Sequence, residues 1–310
     1  MKRWRLMLGC VAALGLAAPA VAQDDAWYAW SPKPDKLPSY GKNKPVVRLP
    51  AVLARHKGQA RWSEQIIQTK RWDAKWIQAA PGDRMPTQYY GDDRAVWVVW
   101  GGQIRFIIQG QEPFIANKGY LVQVPFRTPF SMETVGDEPS LRFEVRHAGA
   151  DPYYPVADGD TPPSLPGIAY EKASYGLQPD PYTEANRPYV DFFKDWRDNP
   201  ANKGGTKPFV VDDHNWGNII RGKGVPMPPE SNRGHYHTNL SEFWFIPEGK
   251  VDFLLEGKPV LTAGEGDIVY APAGRWHRAS NTLGQMDTRI AMIARPKNMH
   301  NFGADAGASQ

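Results

Sequence analysis

Short runs in which apolar and polar residues alternate recur along the chain and are separated by glycine and proline. Residues 103–108 (QIRFII) and 250–255 (KVDFLL) are two such runs. Neighbouring side chains of a β-strand point to opposite faces, so this alternation is typical of strands with one buried face. The 310 residues include 29 glycines and 29 prolines, enough to separate many strands by turns. The pattern predicts a fold of many short strands.

One stretch of this pattern occurs twice. A shift of 147 residues places positions 88–134 on positions 235–281 without a gap, and Trp97 then falls on Trp244. The turn residues coincide as well: Gly102, Gly110, Gly119 and Pro125 fall on Gly249, Gly257, Gly266 and Pro272. Glycine recurs where a turn needs positive φ or a close approach of the backbone. The repeat indicates an internal duplication.

Three histidines and one glutamate in the second copy have the spacing of a metal site. His235 and His237 are two residues apart, so on a strand both imidazoles point to one face. Glu242 follows on the same side, and His277 comes from a later strand after the turn at residues 272–274. This donor set suits Fe, Mn, Co, Ni, Cu or Zn and leaves coordination positions for a substrate. The predicted cofactor is one divalent transition metal of undetermined identity.

The two segments that carry these ligands resemble the paired signature motifs of the cupin superfamily. They read Gly234-His235-x-His237-(x)4-Glu242-(x)6-Gly249 and Gly266-(x)5-Pro272-x-Gly274-(x)2-His277-(x)3-Asn281. One departure is Pro229, which stands where the usual first motif has glycine. Together with the duplication, the resemblance implies a bicupin, an all-β fold of two jelly-roll barrels in tandem. Oxalate decarboxylases and quercetin-type dioxygenases are bicupins that the chain resembles.

The first copy lacks the metal ligands. Gln88, Tyr90, Ala95 and Phe130 stand at the positions of His235, His237, Glu242 and His277. Alanine and phenylalanine in two of four ligand positions cannot hold a transition metal in this way. We therefore expect a degenerate barrel that supports the second barrel by packing, or alternatively one that binds a small apolar or sugar ligand.

Two residues besides Glu242 are candidate catalytic residues. Arg275, just before His277, could pair with a substrate carboxylate at the barrel mouth or be a solvated loop charge. Tyr270 is a possible proton donor if it points inward. If Glu242 points inward, Trp244 does so too, more as core packing than as a platform for substrate, because its duplicate Trp97 remains where the ligands do not.

Other polar residues near the motifs have structural interpretations as well. His214 could orient a substrate, but capping of a turn is favoured, and Arg233 has the same two interpretations as Arg275. Asn281 is expected to stabilise a turn with its amide. No spacing links the histidines outside the repeat to the site: His56, His147 and His300.

The amino terminus has the pattern of a secretory signal peptide. Basic residues at positions 2, 3 and 5 precede an apolar run at residues 6–18, which is too short to span a membrane. Residues 20–22 (AVA) have the small side chains of a cleavage site. We expect a periplasmic or secreted protein; the alternatives are a membrane anchor or a lipoprotein at Cys10.

Cleavage at this site changes the charge and the redox chemistry of the chain. Cys10 is the only cysteine, so the mature chain has no disulfide or thiolate ligand. Loss of the three basic residues takes the formal charge from +4 to +1. We therefore expect no nucleic-acid partner, and no membrane partner after cleavage. The expected partner is a small-molecule substrate, with a homo-oligomer also compatible.

These features divide the chain into six segments. They are a signal peptide (1–22), an amino-terminal arm and lead-in (23–80), a degenerate barrel (81–150), a proline-rich linker (151–205), a metal-binding barrel (206–300) and a tail (301–310).

Three functions are compatible with the sequence. The leading one is a metal-dependent, dioxygenase-like oxidoreductase acting on a small organic substrate, aromatic or carboxylate, chelated to the metal. The second is a lyase, decarboxylase or isomerase in which the ion acts only as a Lewis acid. The third is a non-catalytic binder of metal or sugar. The lid glutamate that oxalate decarboxylases need has no convincing counterpart here.

Overall fold

The computed structural model describes residues 29–156, 162–174, 181–224, 233–294 and 300–303. Over these residues the chain forms 22 strands and two short helices. None of the helices in the described part is long and apolar enough to cross a membrane. The predicted signal peptide and most of the predicted tail lie outside the described residues.

Eleven strands precede residue 155. They are β1 Val46–Val47, β2 Trp62–Gln68, β3 Trp72–Ala79, β4 Arg84–Tyr90, β5 Ala95–Gly101, β6 Gln103–Ile108, β7 Phe114–Ala116, β8 Tyr120–Val124, β9 Phe130–Val135, β10 Ser140–His147 and β11 Pro152–Tyr153. One α-helix, α1, covers Leu49–Arg55 between β1 and β2.

The remaining strands follow the linker. They are β12 Tyr189–Asp191, β13 Gly205–Val211, β14 Asn215–Lys223, β15 His235–Tyr236, β16 Glu242–Glu248, β17 Lys250–Leu255, β18 Leu261–Gly264, β19 Ile268–Ala271, β20 His277–Asn281, β21 Met286–Ala294 and β22 Asn301–Phe302. A π-helical turn at Phe193–Arg197 lies between β12 and β13.

The strands build two jelly-roll barrels in tandem, each from a six-stranded and a five-stranded sheet. The first barrel has the strand orders β12-β8-β5-β10-β3-β2 and β11-β4-β9-β6-β7. The second has β1-β19-β16-β21-β14-β13 and β18-β17-β20-β15-β22. The predicted fold class is confirmed.

The duplication extends further than the ungapped repeat. β5 and β16 begin 147 residues apart, but β2 and β13 begin only 143 residues apart, as do β3 and β14. The offset changes by four residues between β3 and β4, which is why an ungapped comparison stops there. The first barrel therefore begins before residue 81, the boundary predicted from the sequence, because β2 and β3 belong to its six-stranded sheet.

One edge strand of each six-stranded sheet comes from the segment that precedes the other barrel. β1 pairs with β19 of the second barrel, with Val46 opposite Val269. β12 pairs with β8 of the first barrel, with Val190 opposite Leu121. The lead-in thus contributes β1 to the six-stranded sheet of the second barrel, and the linker contributes β12 to that of the first. This exchange ties the two barrels together through backbone hydrogen bonds at sheet edges.

Three hydrophobic clusters hold the molecule together. One fills the interior of each barrel, and the third lies between the two six-stranded sheets. Phe245 of β16 belongs to this third cluster. The centroid of its ring lies 5.0 Å from that of Trp100, 6.1 Å from that of Trp76 and 6.2 Å from that of Phe143. The other face of β16 points into the second barrel, where the metal ligands lie.

Candidate metal centre

The second barrel brings the four predicted ligands to one point of its interior. His235 on β15 is paired with His277 on β20, and Glu242 is the first residue of β16. One ligand atom from each of these residues and from His237 lies within 4.8 Å of the others. His237, Glu242 and His277 are buried, whereas the side chain of His235 is 20 % exposed. Among the four ligands, His235 is therefore the one that faces solvent in the described part of the chain.

The ligand atoms converge on the Glu242 carboxylate. Its Oε2 lies 3.0 Å from His237 Nε2, 3.1 Å from His277 Nε2 and 3.7 Å from His235 Nε2. His277 Nδ1 lies 2.9 Å from the carbonyl oxygen of Arg275, so Nδ1–H donates to that oxygen. This bond leaves the Nε2 lone pair of His277 directed into the site, as a metal ligand requires.

The distances and donor types fit a divalent transition metal. Ligands about 2.1 Å from one ion lie up to about 4.2 Å apart, so small side-chain movements would accommodate it. His235 Nε2 and His277 Nε2 lie only 3.1 Å apart, and a cation between them would satisfy both nitrogens. The donor set agrees with the cofactor predicted from the sequence and leaves the identity of the metal open.

The protonation states of His235 and Glu242 are those that metal binding needs. Burial lowers the pKa of His235 to about 4, so this imidazole is neutral at neutral pH. Burial raises the pKa of Glu242, but its polar contacts with the three imidazoles outweigh burial and hold the pKa well below its usual value. A neutral imidazole and an ionised carboxylate bind a metal without first releasing protons.

Aromatic side chains surround the ligands. The Trp244 ring lies 5.3 Å from the His277 ring and belongs to the interior cluster, as the alternation along β16 predicts. The Phe302 ring lies 5.2 Å from the His235 ring. These contacts provide apolar walls on two sides of the site.

His300 is part of the site, although no spacing in the sequence links it to the ligands. Its ring lies 4.3 Å from the His235 ring and 4.8 Å from the His237 ring. The pairing of β22 with β15, with Phe302 opposite His235, brings the end of the chain to the metal ligands. Two-residue strands have no sequence pattern, so spacing alone could not reveal this contact.

Arg289 is a second residue that sequence reasoning missed. Ala291 on β21 pairs with the inward-facing Trp244, so Arg289, two residues earlier, shares the inner face. Its Nη1 donates to Asn281 Oδ1 at 2.8 Å. Burial lowers the pKa of Arg289 to about 10, although the Glu242 carboxylate counteracts it. A guanidinium therefore lies inside the barrel near the ligands. An arginine at an inward position of β21 was the available signal.

Arg275 does not face the metal site, which corrects its prediction as a carboxylate-binding catalytic residue. Its Nε donates to the carbonyl oxygen of Pro38 at 2.7 Å, and its Nη1 donates to that of Glu256. The guanidinium lies 4.6 Å from the centre of the Tyr40 ring. The side chain holds the amino-terminal arm against the barrel.

Replacement of Arg275 by methionine is therefore expected to destabilise the arm rather than the metal site. Loss of the two hydrogen bonds and the ring contact should cost about 2 kcal/mol of unfolding free energy. Tryptic cleavage after Lys36 should become faster, with unchanged metal content. Arg233→Met, at an exposed position, is the control. Loss of metal with an intact arm would contradict this role.

Tyr270 also points away from the metal, which corrects its prediction as a proton donor. It is paired with Phe243 across β19 and β16, and both side chains belong to the cluster between the barrels. Burial raises the pKa of Tyr270, and hydrogen bonds with Ser241 and Asn43 counteract it. Its neighbours Val269 and Ala271 occupy the barrel interior instead.

The remaining candidates have the structural roles that were favoured. The backbone N–H of His214 donates to Asp212 Oδ1 at 2.8 Å, so His214 lies in a turn. The Asn281 amide donates to the carbonyl oxygens of Gly222 and Asp287 at 2.7 and 2.9 Å. Arg233 is exposed. Of these three residues, Asn281 ties β20 to β14 and β21 through its amide.

His56 and His147 lie outside the metal site. His56 stacks on Trp62 with ring centroids 4.2 Å apart, and the His147 ring lies 5.6 Å from that of His214.

Comparisons with known proteins agree with this fold. Residues 225–293 match the family model of the cupin domain. A cupin 2 conserved barrel domain protein from Leptotrichia buccalis is similar at 12 % identity over 81 % of this chain and 96 % of its own, with a TM-score of 0.52. Salicylate 1,2-dioxygenase from Pseudaminobacter salicylatoxidans is similar at 14 % identity over 80 % and 83 %, with a TM-score of 0.55. No match was found among curated protein sequences.

The family model covers residues 225–293, which belong to the second barrel. A mutant of oxalate decarboxylase from Bacillus subtilis aligns at 14 % identity over 76 % of this chain and 72 % of its own, with a TM-score of 0.47. The two structures with TM-scores above 0.5 show a shared fold, and the reaction must be argued from the site.

Proposed function

We propose that this protein is an exported, metal-dependent oxidoreductase of the dioxygenase type that acts on a small organic carboxylate. The observation that carries the proposal is the placement of one guanidinium, Arg289, in the same barrel interior as three imidazoles and a carboxylate. The four ligands provide the metal, and Arg289 provides a partner for a carboxylate substrate. A small organic acid bound in this interior would lie next to the metal.

Each side chain of the site has a task in this proposal. A divalent ion held by the four ligands supplies Lewis acidity and, if redox active, access to O2 chemistry. Glu242 offsets part of the charge of that ion. Arg289 orients the carboxylate of the substrate, and Asn281 fixes the guanidinium. Trp244 and Phe302 exclude water and pack against the apolar part of the substrate.

Export and assembly belong to the same proposal. The signal-peptide pattern at residues 1–22 supports a periplasmic or secreted location, where the metal is acquired after export. The general order of binding affinities for divalent metals then favours Cu or Zn over Mn or Fe, unless the geometry of the site selects another metal. Two barrels in one chain already form a pair, so a homo-oligomer is compatible but not required.

Substrate-dependent O2 uptake tests the proposed reaction. The metal-loaded protein is assayed against phenols, flavonols, aromatic acids and small dicarboxylates, with and without O2. Uptake of O2 with one of the acids, together with loss of turnover under anaerobic conditions, is expected. Anaerobic turnover, or full activity with Zn, would replace the proposal by the lyase or isomerase function. Absence of turnover both with and without O2 would leave the function of a non-catalytic binder.

Replacement of Arg289 by methionine tests the substrate class. We expect benzoate to bind at least about tenfold more weakly to the metal-loaded variant, because a charge-assisted pair contributes about 1.5–3 kcal/mol. Calorimetric titration measures this change, and elemental analysis should show unchanged metal content. Tyr270→Phe is the control, since its ring faces the other barrel. Benzoate binding equal to that of the unmodified protein would exclude Arg289 as the carboxylate partner.

A further inference from the structure

The interior of the first barrel contains a charged network. Along β10 the odd-numbered residues 141–145 pack between the barrels, so Arg142, Glu144 and Arg146 point inward. Glu144 Oε2 accepts a hydrogen bond from Trp97 Nε1 at 2.9 Å, and Glu144 Oε1 lies 3.1 Å from Arg146 Nε. Arg146 Nη1 donates to the Tyr90 hydroxyl at 3.1 Å. The barrel without the metal ligands therefore contains a buried network of hydrogen bonds and an ion pair.

Arg142 has no partner in this network. The residue is 8 % exposed, and its Nε is shielded from solvent and has no hydrogen-bond partner among the described residues. Its strand neighbours Ile77 and Val99 are apolar. A buried guanidinium with unmet donors is costly, so the site calls for an acceptor.

The second barrel offers the corresponding arginine an acceptor that the first barrel lacks. Arg142 is the counterpart of Arg289, whose Nη1 donates to Asn281. The counterpart of Asn281 in the first barrel is Thr134, and its hydroxyl is bonded instead to Ser140 Oγ at 2.7 Å. The first barrel thus keeps the inward arginine without its protein acceptor.

Neither carboxylate near Arg142 accepts a hydrogen bond from its guanidinium. Glu144 accepts from Trp97 and lies 3.1 Å from Arg146, and Asp83 is bound by Arg61 at 2.7–2.9 Å. Arg146 also lies 3.6 Å from Asp73. The Arg142 guanidinium is therefore left for a ligand with acceptor oxygens.

The Tyr90 hydroxyl offers a second donor. It accepts hydrogen bonds from Arg146 and from Gln88 Nε2, the latter at 3.3 Å, and within the described residues its own proton has no acceptor. A ligand with two acceptor oxygens could use this proton together with the Arg142 guanidinium.

We propose that the first barrel binds a small carboxylate anion, with the Arg142 guanidinium as its principal partner. The planar fork of arginine matches the two oxygens of a carboxylate. Trp97, Phe106 and Phe130 are buried in the same interior, so we expect a ligand no larger than formate or acetate. This replaces the apolar or sugar ligand considered from the sequence and does not depend on the reaction proposed for the second barrel.

Calorimetric titration of formate into the metal-loaded, full-length protein tests the proposal. Chloride-free buffer is used for the unmodified protein, Arg142→Met and Arg289→Met. We expect Arg142→Met to bind formate at least tenfold more weakly at unchanged metal content, and Arg289→Met to retain the binding event. Formate should raise the Tm of the unmodified protein by more than it raises that of Arg142→Met.

Arg142→Lys keeps the charge and provides a second variant if the methionine variant does not fold. Its single ammonium cannot form the two-pronged contact, so weaker formate binding supports the proposal. Equal binding by the unmodified protein and the variant that folds would overturn the proposal. Absence of formate and acetate binding to the unmodified protein would overturn it as well, as would loss of the binding event in Arg289→Met alone.

Discussion

Replacement of His277 by phenylalanine is expected to abolish stoichiometric metal binding while the barrel stays folded. Phenylalanine is what the first barrel carries at this position: the Phe130 ring packs 5.1 Å from Trp97, much as His277 lies 5.3 Å from Trp244. The new ring therefore has a place against Trp244. Loss of a direct ligand should weaken metal binding by more than about 100-fold, because loss of an outer partner alone costs 10–100-fold.

Elemental analysis and circular dichroism measure the two parts of this result. His214→Phe makes the same substitution at an exposed histidine in a turn and should retain one metal per chain. A folded His277→Phe variant with one metal per chain would show that the metal is held elsewhere.

Replacement of Phe245 by alanine should produce the largest loss of stability. Phe245 is 1 % exposed and packs against three rings of the first barrel. Removal of a buried phenylalanine ring costs about 3–5 kcal/mol, a large part of the 5–15 kcal/mol typical of a folded protein. Denaturant unfolding measures the loss, and metal content per folded chain should not change, because Phe245 lies on the opposite face of β16 from Glu242.

Ile107→Ala is the control for this experiment. Ile107 is 43 % exposed on β6, and its truncation should change the unfolding free energy by no more than about 0.5 kcal/mol. A loss below about 1 kcal/mol for Phe245→Ala would mean that the two barrels do not depend on each other for stability.

The sequence predicted the parts of the fold that repeat. Strand alternation and the recurrence of Trp97 at Trp244 carry signals over many residues, because each strand must bury one face. The four ligands were predictable for a related reason: His235 and His237 must share a strand face, and His277 lies in its own motif. Features that involve every residue of a strand or motif are visible as a pattern in the sequence.

Features that depend on a few residues were not predictable. The exchanged strand β1 has two residues, too few for a pattern, and the amino-terminal start of the first barrel was missed because the repeat offset changes before β4. His300 reaches the site through one short pairing of β22, and Arg275 turns to the arm because acceptors lie there. These contacts are decided by tertiary packing.

Anomalous diffraction from crystals of the metal-loaded protein would show where the metal is bound. We expect one anomalous peak in the second barrel, surrounded by Nε2 of His235, His237 and His277 and by the Glu242 carboxylate. A peak in the first barrel, or one coordinated without Glu242, would contradict the metal site on which the proposed function rests.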